Sequence, residues 1–367
     1  IINNLTGTAD WRGVVSIRKK QADMLLESSL VGLAVNLPAP FGKKAADTVP
    51  LRIEKKITGA KQDFLQLNYG KVVAAVLSRN HENGKTTIER GAVNLGAAAV
   101  LPPQPGIWLS GELPLLDLDH WRGLLGPPSA KASPLPGFAG VNLKFGALDA
   151  FGKRFNDLRI TAKMLESTWQ AKIESRELAG SVNWNPEGRG RLQARLGYLT
   201  VPDPAPAKLG VPTEASQEKE LPALDVIADN FSAKQKKLGK LELLAVQEDD
   251  DWRIQKLRIS NPDGILQMDG LWQGWRRRPM TNANLHLEAQ DVGKLLTRLG
   301  YPEAVKRGTA NLDGELSWAG SPHDIDFPSL TGSLKLEAKN GQFLKVEPGA
   351  GKLLGLLSLQ SLPRRLT

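Results

Sequence analysis

The chain has no cysteine, so it can form neither a disulfide nor a thiolate metal centre. Its four histidines, His81, His120, His286 and His323, are scattered. None has a second histidine at the spacing that H-E-x-x-H requires, and no G-x-S-x-G nucleophile elbow occurs. No apolar run approaches the roughly 20 residues of a membrane-spanning helix. The opening IINNLTGTADW is not a signal peptide. Phosphate loops are missing too. In GAGK (349–352) the lysine is followed by Leu353 instead of a hydroxyl, and Val346 stands where the loop's first glycine belongs. In NGKTT (83–87) the hydroxyl is present, but Arg79 takes the place of that glycine. Asn83-Gly84 lies between two strand-like runs and reads as a hairpin turn. An enzyme reading therefore has no residues to stand on, and no metal or cofactor is expected.

What the chain does have is positive charge, with 48 Lys+Arg against 39 Asp+Glu, or 48 − 39 = +9. That favours anionic partners, either nucleic acid or phospholipid head groups, without choosing between them. The length of 367 residues is enough for two or three domains.

Alternation of period two dominates. LRITAKML puts Leu158, Ile160, Ala162 and Met164 on one face, and WQAKI does the same with Trp169, Ala171 and Ile173. GSVNW follows with Val182 and Trp184, then RLQARLGYL with Leu192, Ala194, Leu196 and Tyr198. These are half-buried strands, since side chains alternate between the faces of a sheet. Short turns such as Asn185-Pro186-Glu187-Gly188 separate them, so an antiparallel meander is expected.

A small signature, apolar-x-Gly-x-apolar-x-Trp, recurs as LTGTADW (5–11), LAGSVNW (178–184) and LDGELSW (312–318). It places the glycine and the tryptophan on one strand face and points to a repeated β unit. Two short helices are expected, in Leu116–Gly126 and Gln290–Gly300, each with an Asp to cap and a Gly to close. The leucine run Leu353–Leu362 reads as a third, packed on a sheet. Gly126–Gly137 and the Pro-rich Pro202–Pro222 read as loops, the latter as a mobile insertion. Glu112, Asp117, Asp119 and His120 form the densest titratable cluster, read as a helix cap and a solvated face. EDDDW (248–252) reads as a hairpin tip, and WRRR (275–278) as an exposed turn or an anionic-surface contact.

The most specific stretch is NGQFLKVEPGAGKLLGLLSLQSLPRRLT (340–367). It resembles the C-terminal region of AsmA-like proteins, specifically the YhdP type. LHLEAQDVGKLLTRLGYPEAVKRGTANLDGELSWAGSPHD (285–324) and the N-terminal SSLVGLAVNLPAPFGKKAADTVPL (28–51) are similar to the same family, so the resemblance covers nearly the whole chain.

The resemblance implies a mainly β fold: a long twisted antiparallel sheet curled into a repeating β-groove, with a few short helices. It implies a periplasmic, inner-membrane-anchored, bridge-like carrier of phospholipid between the inner and outer membranes of a Gram-negative envelope. The membrane helix and the C-terminal end of such a protein are expected outside this fragment. Phospholipids, the two membranes and unidentified envelope proteins are the implied partners, with no nucleic acid, no cofactor and no catalytic residue. On this reading residues 1–128 form a first groove unit. Residues 129–201 and 223–320 form two parts of a second, 202–222 a mobile loop, and 321–367 the start of the C-terminal unit. The groove lining would comprise the apolar residues of 158–196 named above except Tyr198, together with Leu285, Leu287, Leu312, Leu316, Trp318, Leu334 and Leu336.

The physics is compatible with that role. Exposing about thirty methylenes of a phospholipid to water, at about 0.8 kcal/mol each, would cost on the order of 24 kcal/mol. An apolar trough removes most of that barrier. Two other readings stay open on the residues alone: a β-rich envelope scaffold whose apolar face is a filled core, and a nucleic-acid binder driven by charge.

Overall fold

The computed structural model describes residues 4–18, 21–82, 84–125, 137–206, 221–274, 278–322 and 325–344. The leucine run at 353–362, His323, most of WRRR and positions 207–220 of the Pro-rich stretch lie outside the described residues. The chain divides into two units, Ile1–Glu177 with Pro202–Ala207, and Leu178–Val201 with Lys208–Thr367.

In the first unit, β1 (Leu5–Gly7) pairs with β4 (Leu33–Val35) beside a sheet of ten strands. The sheet starts with β2 (Trp11–Arg18), β3 (Gln21–Ser28), β5 (Leu51–Ile57), β6 (Gln62–Tyr69), β7 (Val73–Glu82) and β8 (Lys85–Leu95). It continues with β9 (Gly106–Asp117), β10 (Phe138–Ala150), β11 (Lys153–Leu165) and β12 (Thr168–Glu174). Each pairs with the next in that order. Helix α1 (Leu118–Leu125) leaves the end of β9. The 82–85 turn closes the hairpin that Asn83-Gly84 announced, with Glu82 opposite Lys85.

In the second unit the ladder is β13 (Leu178–Asn185), β14 (Arg191–Thr200), β15 (Ala223–Ala233), β16 (Lys236–Glu248), β17 (Asp251–Asn261), β18 (Gly264–Gln273) and β19 (Met280–Ala289). Helix α2 (Val292–Arg298) and β20 (Val305–Lys306) follow, and β21 (Thr309–Ala319) returns to pair with β19. β22 (Thr331–Lys339) pairs with β21, and β23 (Gln342–Phe343) with β20. Asp291 caps α2 by accepting from the Lys294 N–H at 3.0 Å, and Gly300 closes it at φ +89°.

The meander is antiparallel except at three joints, β8–β9, β9–β10 and β14–β15, which are parallel. Each joint is a place where a long connection carries the chain back to the strand's starting end: 96–105, 118–137 and 201–222. Tight turns can only make antiparallel neighbours. The Pro-rich stretch thus connects two parallel strands, with Arg191 opposite Ala223 and Thr200 opposite Ser232.

One reading of the repeat is corrected. In LAGSVNW and LDGELSW the glycine and tryptophan share one strand, β13 and β21 respectively. In LTGTADW they do not, because Gly7 ends β1 and Trp11 begins β2. Gly7 has φ +98°, and its ideal Cβ would lie 2.2 Å from the Gly32 carbonyl oxygen. That contact admits no side chain at position 7.

Candidate functional site

Cross-strand register shows what the alternation builds. In the second unit one row of paired residues runs Val182, Ala194, Val226, Leu243, Leu257, Met268, Leu285, Gly314 and Leu334 over β13 to β22. The next row on the same face runs from Leu196 through Ala228, Leu241, Ile259, Leu266, Leu287 and Leu312 to Leu336. Below them lie Trp184, Leu192, Leu224, Ala245, Ile254, Gly270, Ala283 and Leu316. Nine strands therefore present one unbroken apolar face.

The opposite face is polar. A single row there reads Arg195, Ile227, Glu242, Arg258, Gln267, His286, Asp313 and Lys335. Several of its charges are paired. Lys256 holds Glu242 at 2.7 Å and its hydrogen bond lowers that carboxyl's pKa. Arg195 does the same to Asp225 at 2.8 Å. His286 sits between Asp313 at 2.6 Å and Glu288 at 3.1 Å, and the bond to Asp313 leads in raising its pKa.

The first unit repeats the plan. Leu26, Ile53, Leu67, Ala75, Val93, Leu109, Val141, Ala162 and Ala171 form a central row across β3 to β12. The expected lining residues of this unit lie on that face: Ile160 opposite Ile173, Ala162 opposite Ala171, Met164 opposite Trp169, and Leu158 opposite Phe145.

Coverage of these faces decides what they can do. Mid-strand, mid-sheet side chains in a filled sandwich are buried by the second layer. Here eight of the nine residues in the first unit's central row are only half-buried, Ala162 being the exception. Leu243, Leu257, Met268, Leu285, Leu287, Leu312 and Leu316 are half-buried as well, and Leu334 and Leu336 are 43% and 45% exposed. Full burial on the face is local. Leu196, Ala228 and Leu241 form one patch, Trp252, Ile254 and Trp272 another, and Leu113, Phe145 and Leu158 a third. Phe41 packs on that third patch and meets Trp121 of α1 edge-on at 5.3 Å.

Three buried carboxylates at the strand ends are held by arginine. Asp63 takes two bonds from Arg79 (2.8 and 2.9 Å), one contact from His81 (2.9 Å), and has Lys55 at 3.5 Å. Burial alone would raise the Asp63 carboxyl, but the bonds from Arg79 and His81 outweigh it and hold it below the usual range. Asp149 is gripped by Arg154 at 2.7 and 2.8 Å, which raises the guanidinium's pKa further. Asp263 is gripped by Arg298 of α2.

The cluster singled out in the sequence separates into distinct jobs. Asp117 accepts from the His120 N–H at the start of α1, and Asp119 accepts from the Phe151 and Gly152 N–H groups, clamping the β10–β11 hairpin. Glu112 stands apart and exposed, 3.9 Å from Lys144. EDDDW is the β16–β17 hairpin tip, with Glu248 opposite Asp251. Among the described residues no group of His, Asp and Glu could hold a metal ion, and no helix is long and apolar enough to cross a membrane.

All nineteen expected lining residues fall on the two apolar faces. Sequence reasoning missed much of the remainder, including Ile53, Leu67, Val93, Leu243 and Leu257. Period-two alternation was visible at most of these positions. Trp252 and Trp272 were obscured by a register shift between Ile254 and Leu257.

A family model described as "YhdP protein" matches residues 1–367. The chain is 22% identical over 388 residues to "Intermembrane phospholipid transporter YhdP" of Escherichia coli (strain K12). That match takes in 99% of this chain but only 30% of the relative's length. No solved structure matches.

Proposed function

Because the chain belongs to the YhdP family, we propose that it is a segment of a non-enzymatic conduit whose two apolar faces carry phospholipid acyl chains between membranes. The observation that carries this reading is the half-exposure of the central apolar rows in both units. A face made to pack protein would leave these leucines, isoleucines and valines dry. A face that hosts a passing acyl chain must leave them accessible, and burying both partners gains about 25 cal/mol per Å². Head groups stay in water along the rims, so the face does not select a particular head group along its length. The Escherichia coli relative's name fits the same cargo. The setting is a Gram-negative periplasm, in a longer protein anchored in the inner membrane, with phospholipid as cargo and no nucleic-acid partner.

The test places photo-crosslinking residues at Ile173 and Leu285 in the full-length protein. Both should capture phospholipid. Ile160→Asp, directly opposite Ile173, should abolish capture at that probe by setting a charge in the acyl path. Because Ile160 is half-buried, the melting transition should largely persist. Leu196 is unsuited to the same test, since it is 6% exposed within a packed patch. Probes that never capture lipid, or unfolding of Ile160→Asp, would point to a filled β core and a scaffold role.

A further inference from the structure

An open cleft of about 630 Å³ lies at one end of the second unit's sheet. Its walls are the β15–β16 hairpin, the β17–β18 turn and α2. Lys236, Lys237, Lys294 and Arg298 line it, with Gln235, Asp263 and Gly300. Counting those four cations against Asp263 and the neighbouring Asp291 gives 4 − 2 = +2. The local fold explains why cations gather here. The hairpin turns at Lys234 and Gln235, both at positive φ (45° and 64°), so three lysines fall within four residues. Helix α2 brings Lys294 and Arg298 on successive turns.

These cations have different duties. Arg298 is committed: it grips Asp263, and its other nitrogen donates to the Lys237 carbonyl at 3.3 Å. Lys236 donates to the Leu299 carbonyl at the end of α2 and lies 5.7 Å from the Tyr301 ring centroid. It thereby offsets the negative end of that helix, which would otherwise repel an anion. Lys237 and Lys294 are exposed. Lys237 has no carboxylate within ion-pair distance among the described residues, and Lys294 has only a 3.4 Å contact with Asp291. Two exposed ammonium groups thus face a cleft with a positive background.

The cleft adjoins the apolar face. Leu295 of α2 is buried, and it would lie 3.4 Å from a Cβ at Gly264, whose cross-strand partner Ala289 belongs to the last row of that face. An amphiphile with its chains on Leu266 and Leu287 would have its polar end at this rim.

We propose that this cleft binds a phosphate-bearing anion through Lys237 and Lys294. A phospholipid head group and free phosphate share the chemistry that two ammonium groups recognise. The lipid form of the proposal rests on the function proposed above; the anion site itself does not.

The experiment follows backbone amide shifts of Gln235–Lys237 and Lys294 in the isotope-labelled protein. The probes are inorganic phosphate, a short-chain phosphatidylglycerol below its micelle concentration, and the matching diacylglycerol. Shifts that saturate with the first two, and weaken by about tenfold or more in Lys237→Gln/Lys294→Gln, support the site. Both side chains are exposed, so that variant should keep its fold, which its melting curve checks. Saturation with phosphatidylglycerol alone identifies a head-group station, and saturation with phosphate alone identifies a free-anion site. No saturable shift with either, or equal shifts with diacylglycerol, or shifts that survive the double substitution, overturn the proposal. Lipid capture at Leu285 reports separately on the conduit: capture there with a silent cleft sinks only the anion site.

Discussion

Trp252 and Trp272 stand opposite one another across β17 and β18, both buried, with unequal hydrogen bonding. The Trp252 indole N–H donates to the Pro222 carbonyl at 2.8 Å, while that of Trp272 is buried without a partner. A buried donor left unsatisfied costs about 1–3 kcal/mol. Replacing each by phenylalanine removes similar volume, but only Trp252→Phe gives up a bond and strands a carbonyl. Trp252→Phe should therefore destabilise the fold by about 1–2 kcal/mol more than Trp272→Phe. Urea unfolding of the two variants measures the difference, and equal losses would mean that the Pro222 contact contributes nothing.

Lys43 is a buried cation whose partners are all backbone. Its ammonium donates to the carbonyls of Leu30 (2.7 Å), Leu33 and Lys44 (2.9 Å), tying together the loop between β3 and β5. Lys43→Met keeps the apolar stem and strands those acceptors. Stability should fall by about 1–3 kcal/mol, and protease cleavage should begin near 30–45. Cleavage that begins elsewhere, with unchanged stability, would show that the loop holds without its lysine.

Two groups set opposite pH dependences. Asp63 has a folded pKa below its ordinary 3.8. Its contribution is complete above that value and is lost as pH falls through the depressed folded value. Asp63→Asn should therefore be less stable than the parent at neutral pH, with the gap closing under strong acid. His286 has a folded pKa above 6.5. Its contribution is complete below 6.5 and is lost as pH rises through the raised value. It is small and weakened by salt, since the ring is 38% exposed. Thermal melts of Asp63→Asn and His286→Gln across pH measure both. A gap that widens in acid for the first, or in alkali for the second, would reverse the assigned signs.

The strands and their two chemistries are legible residue by residue. Alternation in LRITAKML and LDGELSW sets Leu158, Ile160, Leu312 and Leu316 on one side, because neighbouring side chains in a strand must point to opposite faces. The caps of α1 and α2 and the Asn-Gly hairpin were legible for the same reason: each is settled within a few residues of chain. Features that depend on distant partners emerge from the folded arrangement alone. Register brought Leu285, Gly314 and Leu334 into one row, and a carbonyl twenty-five residues away in sequence excluded any side chain at Gly7. Three long connections turned antiparallel neighbours into parallel ones. The cationic cleft needed a hairpin turning on Lys234 and Gln235, without glycine or asparagine, and a helix nearly sixty residues further on. Local steric rules act on neighbours in sequence, whereas coverage of a face and convergence of charges depend on which strands meet, and no short window of residues contains that.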